Sequence, residues 1–133
     1  MKLIITSLLL LISTSSAAAL NTNQRELAKN LHLAVNQINS AGPKMLDDET
    51  RLDSAATMSN YIIYNNTLVN YTVEQLDTQL LDKTLTENVI DKLCANAGLT
   101  AFSDLGVVMV YRYIDKNNVF VTELSKDMAS CKS

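Results

Sequence analysis

The chain has 133 residues, 47% of them hydrophobic, and a formal net charge of −3 at pH 7. This length predicts a single domain with its own hydrophobic core. The mild negative charge gives no reason to expect nucleic acid or an anionic membrane surface as a partner.

The first nineteen residues have the layout of a secretory signal peptide. Lys2 gives a positive start, residues 3–12 form a mostly apolar run, and residues 17–19 offer a small-residue cleavage site. The apolar run is too short to span a bilayer, and no cysteine follows the cleavage site to carry a lipid anchor. We therefore expect a signal peptide over residues 1–19, one domain over residues 20–133, no membrane span after cleavage, and a periplasmic or secreted location.

The first element of the mature chain is a predicted helix over residues 21–41. Gly42 and Pro43 form its stop signal. His32, the only histidine, lies off the apolar stripe and is expected to face solvent. The apolar residues follow one helical stripe: Leu27, Leu31, Ala34, Val35 and Ile38.

An acidic loop over residues 44–49 follows this helix. Its carboxylates, Asp47, Asp48 and Glu49, suggest calcium binding, but they lack the alternate ligand spacing and the glycine of a calcium loop. We interpret them as a solvated charge run.

Residues 50–58 and 61–71 alternate as strands, and the turn at Ser59 and Asn60 predicts that they form a hairpin. Thr72 with Gln75 then forms a capping box that predicts a helix ending at Gly98, with a break near Lys83. A short helical turn over residues 99–105 is expected before the last hairpin.

Residues 107–124 form the predicted central hairpin, with a turn over residues 115–118. Both faces of its first strand are largely apolar, which is typical of a central strand. We expect Val108 and Val110, which share one face, to be buried beneath helices.

The order of elements is α-β-β-α-β-β. It predicts an α+β fold in which two antiparallel β-hairpins form one small sheet, with helices packed mainly on one face.

The two cysteines, Cys94 and Cys131, are predicted to form a disulfide, because the chain is expected to be exported. His32 has no partner for nucleophilic or metal chemistry, and the chain lacks a glycine-rich phosphate loop. We therefore expect no catalytic residue, no cofactor and no metal. Asp53, Glu74 or Asp104 could pair for sugar hydrolysis, but no motif specifies them.

A candidate contact surface follows from charged and aromatic residues on the strands. Arg51 and Asp53 share one face and form either a simple ion pair or a recognition patch together with Arg112. Tyrosine is enriched at binding hot spots, and all five tyrosines lie on or beside predicted strands. The candidate residues are Arg51, Asp53, Arg112, Tyr64 and Tyr113.

Several short motifs carry a resemblance. They are P-K-M-L-D-D-E-T-R-L-D at residues 43–53, Y-N-N-T-L-V-N at residues 64–70, Y-R-Y-I-D at residues 111–115, and the two cysteines. The set resembles small exported proteins of Gram-negative bacteria without assigned function, and loosely resembles quorum-sensing-regulated virulence factors. The resemblance implies an α+β fold, a periplasmic or secreted location and no known catalysis. Where this pattern leads us to expect an aromatic residue, the chain has Asn66.

The sequence favours a non-enzymatic periplasmic or secreted factor whose partner is another protein, either an envelope or secretion accessory or an immunity-type protein. A small hydrolase acting on cell-wall polymer and a secreted virulence effector are the alternatives.

Overall fold

A computed structural model describes residues 22–132. The predicted signal peptide lies outside these residues. Within them, no helix has the length and apolar character needed to cross a membrane. The helices are α1 (Thr22–Ala41), α2 (Thr78–Asn88) and α3 (Thr100–Leu105), and the strands are β1 (Lys44–Met45), β2 (Thr50–Met58), β3 (Tyr61–Leu68), β4 (Val108–Asp115) and β5 (Phe120–Asp127). The predicted α+β class is confirmed.

The five strands form one mixed sheet in the order β1-β2-β3-β4-β5. Strands β2 and β3 form one antiparallel hairpin and β4 and β5 form another, as predicted. The two hairpins meet through β3 and β4, which run parallel from the Tyr61–Val108 pair to the Leu68–Asp115 pair. The expectation of a sheet built only from antiparallel hairpins is therefore wrong at its centre. A parallel pair needs a long crossover connection, and the segment that holds α2 and α3 supplies it.

The start of this crossover differs from the sequence prediction. The capping box at Thr72 opens only the 3₁₀ turn Val73–Gln75. Helix α2 begins after Asp77, whose carboxylate accepts a hydrogen bond from the Leu80 N–H at 3.1 Å. The helix then continues through Lys83, so the predicted break there is wrong.

All three helices lie on one side of the sheet, which we call the covered face. Helix α1 buries Leu27, Leu31 and Val35, a spacing of four residues that follows one helical stripe. These side chains belong to the main core, together with Ile62 of β3 and Met109 of β4. A second cluster joins Leu81 and Leu85 of α2 to the far end of the same face, at Leu68, Tyr113 and Val121.

The opposite side of the sheet, which we call the open face, receives no helix in residues 22–132. Val108 and Val110 lie on this face, because they alternate with the covered residues Val107 and Met109. The expectation that helices bury Val108 and Val110 is therefore wrong. Val110 is only 6% exposed, and its position in an inner strand of the sheet accounts for this shielding.

Helix α1 is fixed to the outer edge of the sheet by Asn39. Its side-chain amide donates to the carbonyl oxygen of Ala55 at 2.9 Å, and its oxygen accepts from the Ala55 N–H at 2.8 Å. The side chain thus takes the two positions that a neighbouring strand would take. This contact closes part of the β2 edge, where unpaired backbone groups would invite pairing with another chain.

The predicted disulfide between Cys94 and Cys131 is confirmed, with an S–S distance of 2.01 Å. It ties the end of the chain to the crossover. The 3₁₀ turn Met128–Cys131, which follows β5, places Met128 in the main core, where it is fully buried. The disulfide therefore holds a core residue in place.

Asp115 links the last hairpin to the crossover. One carboxylate oxygen accepts from the N–H groups of Asn117 and Val119 at 2.8 and 2.9 Å, and the other accepts from the Val73 N–H at 2.9 Å. Burial raises the pKa of Asp115, but the three backbone donors outweigh that effect and hold the pKa below its ordinary value.

Replacing both cysteines by serine should lower the free energy of unfolding by roughly 4 kcal/mol, because the bridge closes a long loop in the unfolded chain. Denaturant titration measures this loss. Reductant should destabilise the wild type by a similar amount and leave the double variant unchanged. A wild type that is insensitive to complete reduction would contradict the structural role of the bridge.

Asp115→Asn should lower the unfolding midpoint at neutral pH, because the variant loses the charged acceptor. The folded-state pKa is depressed, so the carboxylate stabilises the fold above its unfolded pKa of about 3.9 and loses this effect as pH falls through the folded value. The difference in unfolding midpoint between wild type and variant should therefore decrease as the pH falls. Asp127→Asn, at an exposed cap that accepts from the Ala129 N–H, is the control. A difference in unfolding midpoint that does not change with pH would contradict this role of Asp115.

Candidate protein-interaction surface

The open face carries a contiguous group of apolar side chains, which we call the apolar patch. It consists of Met58, Tyr61, Ile63, Val108 and Val110. Their adjacency follows from the register, since Met58, Tyr61 and Val108 are cross-strand neighbours and Ile63 pairs with Val110. Met58 is 70% exposed and Tyr61 is 41% exposed. Exposed apolar clusters of this kind are typical of protein–protein interaction sites.

Arg51 and Asp53, predicted as candidate contact residues, lie on the open face, and the row of Ser54, Asn65 and Arg112 separates Arg51 from this patch. The Arg51 Nε–H donates a hydrogen bond to Asp53 Oδ1 at 2.5 Å, and the Thr67 hydroxyl donates one to Asp53 Oδ2 at 2.5 Å. The register shifts between Leu52 and Ser54, and this bulge turns Asp53 toward Arg51 and Thr67. The two charges therefore satisfy each other within the sheet.

Arg112, the third charged candidate, also lies on the open face. Its Nε–H donates to Glu123 Oε2 at 3.0 Å, and its guanidinium lies 5.9 Å from the centre of the Phe120 ring. Both side chains of the ion pair are about half exposed, so the pair contributes little to stability. Its position suits the polar margin of an interface better than its centre.

Tyr64 and Tyr113, the remaining candidates, lie on the covered face beneath the helices. Tyr64 stacks on Tyr111 with ring centroids 5.1 Å apart. Burial raises the pKa of Tyr64, and burial together with the charge of Asp47 raises the pKa of Tyr113 to about 12. Burial also raises the pKa of Tyr111, with smaller contributions from the two other tyrosines. The structure thus divides the five candidate residues between two sides of the sheet.

Sequence reasoning missed the apolar patch as a surface. The signal was present, because β4 alternates apolar residues on both faces. The sequence alone does not say which face the helices take, and Val108 and Met109 are equally suited to a core. Tyr61 was recognised only as one of five tyrosines, and it is the most exposed of those on the strands.

We next consider the residues within 22–132 that could serve a catalytic or metal site. His32 is exposed on α1. Both cysteines are held in the disulfide. The described carboxylates, histidine and cysteines form no group of three that could hold a metal ion. The exposed Asp47 accepts hydrogen bonds at Oδ1 from the N–H groups of Glu49 and Thr50 within its own loop.

No protein-family model and no curated protein sequence matches the chain. Three solved structures share its fold. A protein from Pseudomonas aeruginosa, provisionally described as secreted, has a TM-score of 0.70 at 17% identity, over 86% of this chain and 100% of its own. The pilotin EpsS of the type 2 secretion system of Vibrio vulnificus has a TM-score of 0.63 at 16% identity, over 84% and 96% of the two chains. The type II secretion pilotin AspS from Vibrio cholerae has a TM-score of 0.58 at 13% identity, over 82% and 95%.

These similarities establish the fold of the chain. The matches extend over nearly the whole length of each neighbour, so the shared unit is the complete α+β domain. Two of the three neighbours are components of a secretion system.

Proposed function

We propose that the protein is a non-enzymatic, exported accessory factor of a bacterial secretion system that binds a protein component of that system. The observation that carries this proposal is the apolar patch on the side of the sheet that no described helix covers. The fold supports the choice of system, because two solved structures with the same fold are secretion pilotins. The predicted signal peptide supports a periplasmic or secreted location.

The arrangement of the open face matches the anatomy of a protein–protein interface. Such interfaces have an apolar centre from which charged residues are depleted, surrounded by a polar rim. Here Met58 and Tyr61 lie in the apolar part. The Arg112–Glu123 pair lies in the row next to it, the Arg51–Asp53 pair lies farther along the same face, and both pairs are already neutralised. A partner can therefore cover the centre without leaving an unpaired charge buried.

The inner strands restrict how the partner docks. The backbone of β3 is paired on both sides, with β2 and β4, and that of β4 is paired with β3 and β5. Neither inner strand offers a free edge for strand addition, so we propose that the partner contacts the patch through side chains. Contacts to Met58 and Tyr61, the most exposed members of the patch, should then contribute most of the binding energy.

The proposal can be tested by capture of secretion proteins from envelope extract of the native bacterium. The tagged exported chain should enrich a structural component of the secretion apparatus, identified by mass spectrometry. Met58→Glu, which places a charge in the apolar centre, should reduce that enrichment at least tenfold, because an uncompensated charge is costly to bury.

Leu33→Glu is the matched control. Leu33 is an apolar residue of α1, 58% exposed and on the helical side of the molecule. This variant should capture the same component as the wild type, and both variants should unfold at the wild-type midpoint. Equal capture by Met58→Glu and wild type would overturn the proposed surface. Enrichment of a toxin or of cell-wall polymer in place of a secretion component would overturn the proposed role.

A further inference from the structure

A cavity opens at the end of the sheet where the apolar patch lies. Its volume is about 370 Å³, within the range of about 300 to 1,000 Å³ that is typical of ligand pockets. Its walls come from the first turns of α1, the β2–β3 turn and the end of α3, and we call it the end pocket. The residues that line it are Gln24, Leu27, Ala28, Ser59, Asn60 and Leu105.

The end pocket is open to solvent, and its walls are tied to one another. Leu105 is 42% exposed, whereas Leu27 belongs to the main core. The side-chain amide of Asn60 donates to the carbonyl oxygen of Gly106 at 2.9 Å, and the Val108 N–H donates to the carbonyl oxygen of Asn60 at 2.9 Å. These two bonds join the β2–β3 turn to the connection after α3. The pocket is therefore formed before a partner binds, which lowers the cost of binding.

The end pocket and the apolar patch meet at the β2–β3 turn. Its two residues, Ser59 and Asn60, line the pocket. The residues on either side of them, Met58 and Tyr61, are the most exposed members of the patch. A partner that covers the patch can therefore extend over this turn and place a side chain in the pocket. Because the walls from α1 and α3 include leucine and alanine, an apolar side chain suits the pocket.

Two cations of α1 lie beside the end pocket. Arg25 and Lys29 are exposed and lie four residues apart, so they share one side of the helix. Arg25 lies three residues before the pocket residue Ala28, which makes them neighbours on the helix surface. Glu26, the one acid of α1, lies two residues from Ala28 and does not share its side. None of the three ion pairs in residues 22–132 includes either cation.

The cations of α1 lie toward the edge of the sheet that carries Met58. Asn39 bonds to Ala55 at the outer edge of β2, and it lies fourteen residues after Arg25, about four helical turns. Both side chains therefore project from the same side of α1. Because Ala28 lies by the β2–β3 turn and Asn39 by the middle of β2, α1 runs antiparallel to β2. Its first turns thus lie at the end of β2.

The other end of the sheet carries the opposite charge. Residues 44–49, before β2, hold three carboxylates and one lysine, and the segment after β3 adds Glu74 and Asp77. Charges of this kind orient a partner more than they add affinity. An acidic partner is attracted to the end that holds the pocket and repelled from the other end. Asp127 of β5 pairs with Val108 at the far side of the patch, so the acidic part should lie over α1.

We infer that the protein component bound at the apolar patch contributes an acidic segment, whose apolar side chain fills the end pocket and whose carboxylates pair with Arg25 and Lys29. This inference rests on the proposed function and names the chemistry of its partner. Exposed ion pairs contribute little affinity. The apolar side chain should therefore supply most of the binding at this site, and the carboxylates should determine which segment is selected.

Titration of the exported chain with a peptide, followed by nuclear magnetic resonance, tests this chemistry directly. The probe is acetyl-Glu-Glu-Leu-Leu-Glu-Glu-amide, and the reporters are the Ala28 methyl and the Ser59 and Asn60 amides. One control peptide replaces both leucines by serine, and the other replaces every glutamate by lysine. We expect the probe to shift the reporters saturably and both controls to leave them in place.

Three results of this titration would overturn the inference. They are no shift with the probe, an equal shift with either control peptide, and shifts that depend on protein concentration without peptide. The last result would assign the end pocket to a second copy of the chain.

Charge reversal tests the role of the two cations. Arg25→Glu combined with Lys29→Glu should weaken probe binding about tenfold or more, because both charges then repel the glutamates. Lys83→Glu combined with Lys116→Glu is the matched control, since it reverses two exposed lysines on α2 and on the β4–β5 turn. This control should change binding less than about twofold, because screening limits charges at that distance. Equal effects of the two double variants would overturn the pairing.

Capture from envelope extract separates this inference from the proposed function. Ala28→Leu, which fills the end pocket, should reduce capture and abolish the probe shifts of Ser59 and Asn60. If Met58→Glu reduces capture of the secretion component and both Ala28→Leu and the double variant of α1 do not, the inference is wrong and the proposed function stands. If no secretion component is captured but the probe binds selectively, the proposed function is wrong and the pocket keeps its assigned specificity.

Discussion

The parallel pairing of β3 with β4 determines the architecture of this domain. Two parallel neighbours cannot be joined by a tight turn, so the chain must leave β3, cross the sheet and return to begin β4 at the same end. The crossover carries α2 and α3, and it packs on the same face as α1. The whole described helical layer is thereby placed on one side. The open face and its apolar patch are a consequence of that placement.

Two further contacts keep the crossover and the chain end in position. Asp115 joins the start of the crossover to the last hairpin through three backbone donors. The disulfide joins Cys94, which follows α2 in the crossover, to Cys131, which follows β5. These contacts secure the covered face of the sheet without involving the open face.

Local sequence patterns predicted the parts of the fold that are locally determined. Alternation and turn residues located both hairpins, and export with two cysteines predicted the Cys94–Cys131 bridge. The parallel β3–β4 pair joins residues that are far apart in the sequence, and no local pattern distinguishes it from an antiparallel pair. For the same reason Val110 was assigned to the wrong face. The sequence marks Tyr113 as a contact candidate by its residue type, and Asn66 only as a departure from an expected aromatic. Neither pattern reveals burial or hydrogen-bond partners, because these depend on the three-dimensional packing.

The methionine methyl groups give the most direct test of the central claim that the sheet has one covered and one open face. Met58 lies on the open face and is 70% exposed, whereas Met109 and Met128 belong to the core beneath the helices. In a chain labelled with ¹³C at the methionine methyls, a soluble gadolinium chelate should strongly broaden the Met58 signal and leave Met109 and Met128 sharp. Met45, 47% exposed on the loop side, is the positive control. A Met58 signal as protected as that of Met109 would contradict the account.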